Sequence, residues 1–161
     1  MVRLACMQDL DDIMRIYDVA REYMRKNGNM LQWINGYPQR ERLAEDIEKQ
    51  DAYVYEVEGK VHGVFALLFG DDPTYAEIEG EWKSTEPYAT IHRIGSDGEV
   101  KGVFDACIDF AKTKSKNLRI DTHENNPTMK YLIKKNGFEY CGVIYIEDLS
   151  PRIAFEYEGG L

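Results

Sequence analysis

Two strand–loop–helix units follow one another in the second half of the chain. Segment 88–94 is rich in β-branched and aromatic residues and runs through the glycine-rich turn 95–102 into an amphipathic helix at 103–114. Segment 117–123 leads in the same way into a short helix that ends at Asn136-Gly137. Short β-branched runs indicate strands, whereas apolar residues three or four apart indicate helices. Strands that alternate with helices predict a sheet covered by helices, hence a mixed α/β fold.

The rest of the chain extends this pattern. We predict a strand at 2–5, a helix from Asp9 to the Asn27-Gly28 pair, a charged helix after Pro38, a hairpin at 52–57 and 61–70, and a closing hairpin at 138–146 and 152–157. Segment 71–87 reads as a long polar excursion. The order β-α-α-β-β-β-α-β-α-β-β predicts a mixed sheet of about seven strands with helices on both faces. A length of 161 residues predicts a single domain, 1–161.

Composition excludes some classes of function. The net charge of −9 argues against general nucleic-acid binding, which needs a basic surface. It permits a basic acceptor, although acidic charge more often serves solubility alone. Cys6, Cys107 and Cys141 lack the spacing of a zinc site or a disulfide framework, so we predict no metal. The first residues do not resemble a signal peptide, and no apolar run approaches a membrane span, so we expect a soluble cytoplasmic protein.

The glycine-rich turn 95–102 has the local pattern of a phosphate site. The first N–H groups of a helix lack partners within it, and its dipole favours an anion there. Gly95, Gly98 and Gly102 would allow close approach, and Lys101 would supply positive charge. The segment is neither a Walker A loop nor G-x-G-x-x-G. A plain turn therefore remains the alternative.

Two longer stretches carry a resemblance. "IHRIGSDGEVKGVFDACIDFA" (91–111) and "NNPTMKYLIKKNGFEYCGVIY" (125–145) resemble the pyrophosphate motif and the following Asn–helix–Gly-Phe motif of the GNAT family of N-acetyltransferases. The resemblance implies a GNAT-like acyl-CoA N-acyltransferase fold with acetyl-CoA as co-substrate, held between two central strands that splay apart. It implies cofactor contacts from Ile94, Gly95, Ser96, Val100, Lys101, Gly102, Val103 and Asn126. Asn126 could instead, or also, cap the helix that starts at Pro127.

The chain departs from the family pattern at three positions. Glu99 replaces a cation or amide of the pyrophosphate motif, and Phe104 replaces a small residue. Ile133 occupies the position where many members have a tyrosine that donates a proton to the departing thiolate. These departures predict weakened cofactor affinity. They also favour the alternative function of a non-catalytic GNAT-fold module that binds acyl-CoA weakly or not at all.

Acetyl transfer to an amine needs a group that removes a proton from the attacking nitrogen. His92 and His123, on the two strands expected to flank the ligand, are the candidates, with a structural or solvated histidine as the alternative for each. Arg93 is expected to point to the face opposite His92. The resemblance takes the oxyanion donor from the backbone at Ile94–Ser96. Cys141 lies in an apolar strand, so we predict direct transfer without an acetylated cysteine.

The acceptor pocket is implied to lie between the loop joining the first two helices, the 71–87 excursion and the last hairpin. The candidates there are Trp33, Tyr37, Tyr75, Trp82 and Tyr145, although loop aromatics are often packed covers instead. Trp33 and Tyr37 look exposed. We predict an amine of a small molecule or peptide as acceptor, no nucleic-acid or membrane partner, and leave a homodimer open.

Overall fold

A computed structural model describes residues 1–159 of the chain. The strands in this range are β1 (Val2–Leu4), β2 (Ala52–Val57), β3 (Lys60–Phe69), β4 (Glu79–Gly80), β5 (Ala89–Ser96), β6 (Asn117–Thr122), β7 (Glu139–Tyr145) and β8 (Pro151–Glu158). The α-helices are α1 (Leu10–Lys26), α2 (Arg40–Glu48), α3 (Val103–Lys114) and α4 (Pro127–Lys135). Two short 3-10 helices lie at Met7–Asp9 and Pro73–Tyr75. None of the helices in the described range is long and apolar enough to cross a membrane.

The strands form one mixed sheet in the order β1-β2-β3-β5-β6-β8-β7-β4. All neighbours are antiparallel except β5 and β6, which are parallel. The predicted fold class is confirmed, with eight strands in the described residues instead of about seven. The additional strand is β4, whose two residues pair with β7 inside the predicted polar excursion. A two-residue strand made of Glu and Gly has no apolar alternation, so the sequence pattern could not reveal it.

Helices cover both faces of the sheet, and neighbouring residues of β3 show the division. Val64 packs with α1 and α2, whereas Phe65 and Leu67 pack with α3 and α4. Successive side chains of a strand point to opposite faces, so the two helix pairs lie on opposite sides. β6 and β8, with buried Leu118 and Phe155, extend the core under α3 and α4.

Strand β5 contains a β-bulge next to the centre of the sheet. Val64 pairs with Gly95 and Ala66 pairs with His92, so one residue of β3 faces two residues of β5. Arg93, in the bulge, has φ of 50°, in the left-handed region. The expectation that Arg93 and His92 point to opposite faces is therefore wrong. The bulge interrupts the alternation and directs Arg93 toward Asp46 of α2.

Candidate active site

The sheet opens where β5 and β6 run side by side. They are paired only at Ala89–Leu118 and Thr90–Arg119, so the rest of β5 has no partner in β6. β6 instead pairs along its whole length with β8. A sheet edge without ladder partners leaves backbone groups available to a ligand. The splayed centre implied by the resemblance is present in the structure.

A cavity of about 410 Å³ lies in this opening. Seven of the eight predicted cofactor residues line it: Ile94, Gly95, Ser96, Val100, Gly102, Val103 and Asn126. Lys101 does not line the cavity and is exposed on the turn. Gly95 and Ser96 belong to β5 and not to the turn, so the turn is two residues shorter than predicted.

The opposite wall of this cleft comes from α1, through Val19, Ala20, Tyr23 and Met24. The sequence predicts α1 as a helix but contains no signal that places it at the cleft. Apolar residues at helical spacing pack a core in the same pattern whether or not a ligand completes it. The hydroxyl of Tyr23 lies 2.9 Å from that of Thr128 at the start of α4, so α1 and α4 meet across the opening.

The amino terminus of α3 faces the cleft without a side-chain cap. Its N-cap is Gly102, with φ of 76°, and no side chain bonds to the first N–H groups. Val103 and Phe104, the first two helical residues, line the cleft. Free N–H groups and the helix dipole make this end of α3 suited to an anion.

Glu99 does not oppose an anion in the cleft. Its carboxylate accepts hydrogen bonds of 3.0 and 3.1 Å from Lys60, and it is not among the lining residues. His62, Asp97 and Glu99 lie close enough to suggest metal ligands. However, Arg15 donates to Asp97 at 3.1 Å and Lys60 to Glu99, so protein cations already balance this cluster.

Asn126 caps α4, as one of the two interpretations predicts. Its side-chain oxygen accepts from the N–H of Met129 at 3.1 Å, and its amide nitrogen donates to Gln32 at 3.1 Å. Gln32 lies in the loop between α1 and α2, which therefore reaches the end of β6. One amide hydrogen of Asn126 remains for a ligand in the cleft, so the ligand role stays a prediction.

The two histidines differ in surroundings. His92 Nε2 lies 2.6 Å from Asp72 Oδ2, and the His92 side chain is 23% exposed. Nδ1 of His123 accepts a hydrogen bond of 3.0 Å from the backbone N–H of Asn125. Burial and the positive charge of Arg152 lower the pKa of His123. His123 thus acts as a neutral acceptor within its turn. His92 has the arrangement of a general base, because a carboxylate that binds one ring nitrogen leaves the other as a proton acceptor.

The five aromatic candidates for acceptor binding do not form one pocket. Trp33 packs on Tyr17, with ring centroids 5.2 Å apart, and Tyr37 accepts from Arg93. Both are half-buried, so the expectation that they are exposed is wrong. Tyr145 is 44% exposed and donates to Glu79.

Tyr75 and Trp82 lie on the other side of the sheet from α3. Tyr75 is buried, donates to Asp121 at 2.6 Å, and packs 6.2 Å from the His92 ring. Trp82 donates to the carbonyl of Tyr75 and covers the guanidinium of Arg119 at 4.0 Å.

A second cavity of about 480 Å³ adjoins the His92–Asp72 pair. Among the five aromatic candidates, only Tyr75 lines it, together with Tyr88 and the carboxylates of Asp71, Asp72 and Glu86. Its one cation, Arg119, is bound to the buried Glu156 at 2.7 Å. The cavity is therefore net negative and partly aromatic, which suits a protonated amine. No spacing in the sequence connects residues 71, 86 and 119.

The position of the family tyrosine is occupied by a core residue. Ile133 is fully buried under the sheet, whereas Tyr131, two residues earlier, is 65% exposed. Neither position therefore supplies a tyrosine hydroxyl to the cleft. Cys141 is buried, and burial and the charge of Glu156 raise the pKa of its thiol.

The whole fold resembles that of known acetyltransferases. A GNAT-family acetyltransferase from Streptococcus agalactiae is 29% identical, with a TM-score of 0.88 over 100% of this chain and 96% of the other. A GNAT-family acetyltransferase from Listeria monocytogenes is 19% identical, with a TM-score of 0.71 over 98% and 94% of the two chains. An N-acetyltransferase from Staphylococcus aureus is 24% identical, with a TM-score of 0.62 over 98% and 97%. A scan of protein-family models and a search of curated proteins find no match.

Proposed function

We propose that this chain, whose fold resembles that of GNAT-family acetyltransferases over its whole length, transfers an acetyl group from acetyl-CoA directly to an amine of a small molecule or peptide. The observation that carries the proposal is the uncapped start of α3, which opens into the same 410 Å³ cleft as the unpaired part of β5. The diphosphate of acetyl-CoA would bind the N–H groups at Gly102–Phe104, and its pantetheine arm would follow β5 toward the bulge.

The proposed reaction needs no covalent enzyme intermediate. The neutral amine attacks the thioester carbon, a C–N bond forms, and the negative charge passes to the carbonyl oxygen. The C–S bond then breaks and CoA leaves as thiolate, which takes a proton from solvent. A thiol with a pKa near ~8.5 can leave in this way without a tyrosine acid. His92 would accept the amine proton, directly or through water, with Asp72 stabilising the imidazolium.

The acceptor would approach from the acidic cavity beside His92. Asp71 and Glu86 line this cavity and make no salt bridge with any other residue of the described part of the chain. They would attract an amine in its protonated form before His92 receives the proton. This arrangement supports an amine as acceptor.

Cofactor binding is the first test. At a concentration of acetyl-CoA a hundredfold above its Kd, the folded state should gain about 2.7 kcal/mol, which raises Tm by roughly 5–10 °C for a chain of this size. Val100→Glu puts an acid inside the cleft and should abolish most of this shift. Val143→Glu is a matched control, because Val143 is also half-buried but lies on β7, away from the cleft.

The replacement of the family tyrosine by Ile133 favours one other function, a non-catalytic module that binds acyl-CoA weakly or not at all. The two functions are separated by incubating the protein with acetyl-CoA and a panel of primary amines, and following free thiol. Amine-dependent release of CoA supports the enzyme. A thermal shift without release of CoA by any amine would support the module that binds acyl-CoA. No thermal shift with millimolar acetyl-CoA would reject the enzyme and support the module that does not bind it.

A further inference from the structure

The bulge of β5 is held by a hydrogen bond from α1. The hydroxyl of Tyr17 donates to the backbone carbonyl of Arg93. Tyr17 is 1% exposed, and burial raises the pKa of its phenol, so the group stays protonated and acts as a donor. The sequence pattern marks Tyr17 only as one apolar position among several on α1.

This hydrogen bond also sets the direction of an N–H group. The carbonyl of Arg93 and the N–H of Ile94 belong to one planar trans peptide, in which the C=O and N–H bonds point in opposite directions. Fixing the carbonyl toward Tyr17 therefore fixes the N–H of Ile94 away from it. Ile94 lines the cleft, and neither Arg93 nor Ile94 is matched to a residue of β3. A hydrogen bond to the carbonyl also polarises the peptide and makes its N–H a stronger donor.

The Arg93 side chain is held by α2. A non-glycine residue in the left-handed region is strained and persists only where its surroundings hold it. Arg93 donates to Asp46 through Nε at 2.8 Å and through Nη2 at 2.9 Å, and both side chains are almost fully buried. Arg93 Nη1 also donates to the hydroxyl of Tyr37 at 3.3 Å. The bulge is thus held at its carbonyl by α1 and at its side chain by α2 and the loop that precedes α2.

We infer that Tyr17 and Asp46 are positioning residues for acetyl transfer, acting through Arg93 to aim the N–H of Ile94 at the carbonyl oxygen of the acetyl group. This inference rests on the proposed function. When the amine attacks the thioester, negative charge develops on that oxygen, so a fixed N–H stabilises the transition state more than the bound substrate. A purely structural role, in which the same contacts only anchor α1 and α2 to the sheet, predicts a loss of stability without a specific loss of turnover.

Two substitutions with one control separate these roles. Tyr17→Phe keeps the ring and removes the donor, and Asp46→Asn keeps the shape and removes the charge. Asp9→Asn is the control, because Asp9 forms the same two-bond pair with Arg3, at 2.8 and 3.0 Å, near β1 and away from the cleft. We expect Tyr17→Phe and Asp46→Asn to lower kcat by about tenfold or more, less than the loss of an entire oxyanion donor. The Kd for CoA should change less than twofold, and Asp9→Asn should lower Tm but keep kcat.

A second readout does not depend on turnover. In ¹⁵N-labelled protein, the amide proton of Ile94 should shift downfield in the acetyl-CoA complex relative to the CoA complex, because only acetyl-CoA has a carbonyl oxygen to bind. Tyr17→Phe should reduce this difference by at least half. An unchanged kcat in folded Tyr17→Phe, or an Ile94 amide that does not distinguish the two ligands, overturns the inference. Absent turnover in wild type with a normal Ile94 shift would reject the proposed catalysis but keep the positioning role.

Discussion

Gly63 allows the uncapped start of α3 to lie close to the sheet. It lies on the face of β3 that packs against α3, and a Cβ built there would overlap Cγ1 of Val103, the first residue of the helix. The same Cβ would meet Tyr55 Cβ at 3.4 Å and the carbonyl oxygen of Gly95 at 3.5 Å, both ordinary contacts. Val103 is therefore the only severe obstacle to a methyl group at this position among the described neighbours. We predict that Gly63→Ala displaces the start of α3.

The size of the effect follows from two opposing contributions. Overpacking a filled core costs about 1–3 kcal/mol. Gly63 has an ordinary strand conformation, so alanine would gain about 0.5–1 kcal/mol from the lower entropy of the unfolded chain. The net loss should be about 0–2.5 kcal/mol, or up to roughly 10 °C in Tm for a chain of 161 residues. A displaced helix start should also raise the Kd for acetyl-CoA, because the N–H groups at Gly102–Phe104 would no longer match the diphosphate.

A compensating substitution tests this reasoning directly. Val103→Ala removes the overlapped Cγ1, so Gly63→Ala with Val103→Ala should recover both Tm and acetyl-CoA affinity relative to Gly63→Ala alone. The stability changes of the two single variants should then be strongly non-additive. Thermal unfolding and calorimetric titration with acetyl-CoA measure both quantities for the four proteins. Strict additivity, or a Gly63→Ala protein as stable and as tight-binding as wild type, would refute the clash as the cause.

Three further predictions address charge, mechanism and pH. Lys101→Glu should raise the KM for acetyl-CoA and leave the acceptor KM unchanged, because it reverses a charge on the turn before α3. Steady-state kinetics with each substrate varied in turn measure both constants, and a rise in the acceptor KM alone would contradict the prediction. Incubation with acetyl-CoA alone should leave the intact mass unchanged, since Cys141 is buried and the pKa of its thiol is raised; a gain of one acetyl group that disappears in Cys141→Ala would disprove direct transfer. The hydrogen bond from Arg3 lowers the pKa of Asp9 to about 2, below its unfolded value, so this pair stabilises the fold above about pH 4 and stops doing so as the pH falls toward 2. Asp9→Asn should therefore flatten the loss of Tm between those pH values, and an unchanged acid slope would argue against the pair.

Much of the fold could be predicted because its elements have strong local patterns. α3 begins and ends at the predicted residues, and the hairpins lie within a residue or two of the predicted limits. Gly102 also marks the helix start in the sequence, since glycine tolerates the left-handed conformation required there. Residues of the cleft near these elements could therefore be placed from their order in the chain. β4 and the bulge at Arg93 could not, because both depend on pairing with distant strands.

The proposed acceptor side was harder to predict because its residues are far apart in sequence and come together only when the sheet forms. Asp72 contacts His92 across 20 positions, and Arg93 contacts Asp46 across 47. The sequence does not show which loop aromatic residues line a cavity. Tyr75 does so, whereas Trp33 packs on Tyr17. The sequence does not separate the two candidate histidines, which the structure distinguishes by Asp72 beside His92 and by the buried acceptor role of His123.

An acidic protein can hold an anionic cofactor if the acids near the cofactor are already paired. Three carboxylates near the start of α3 in the sequence each have a cationic partner: Asp97 with Arg15, Glu99 with Lys60, and Asp105 with Lys135 at 3.0 Å. Other carboxylates, such as Asp71, Asp72 and Glu86, line the second cavity and not the cleft, and charges more than about 8 Å away are largely screened at physiological ionic strength. The local field at the cleft is then set by the free N–H groups of α3 and not by the net charge of −9. In the sequence, Glu99 argues against tight cofactor binding. In the structure it does not, because Lys60 binds the Glu99 carboxylate outside the cleft.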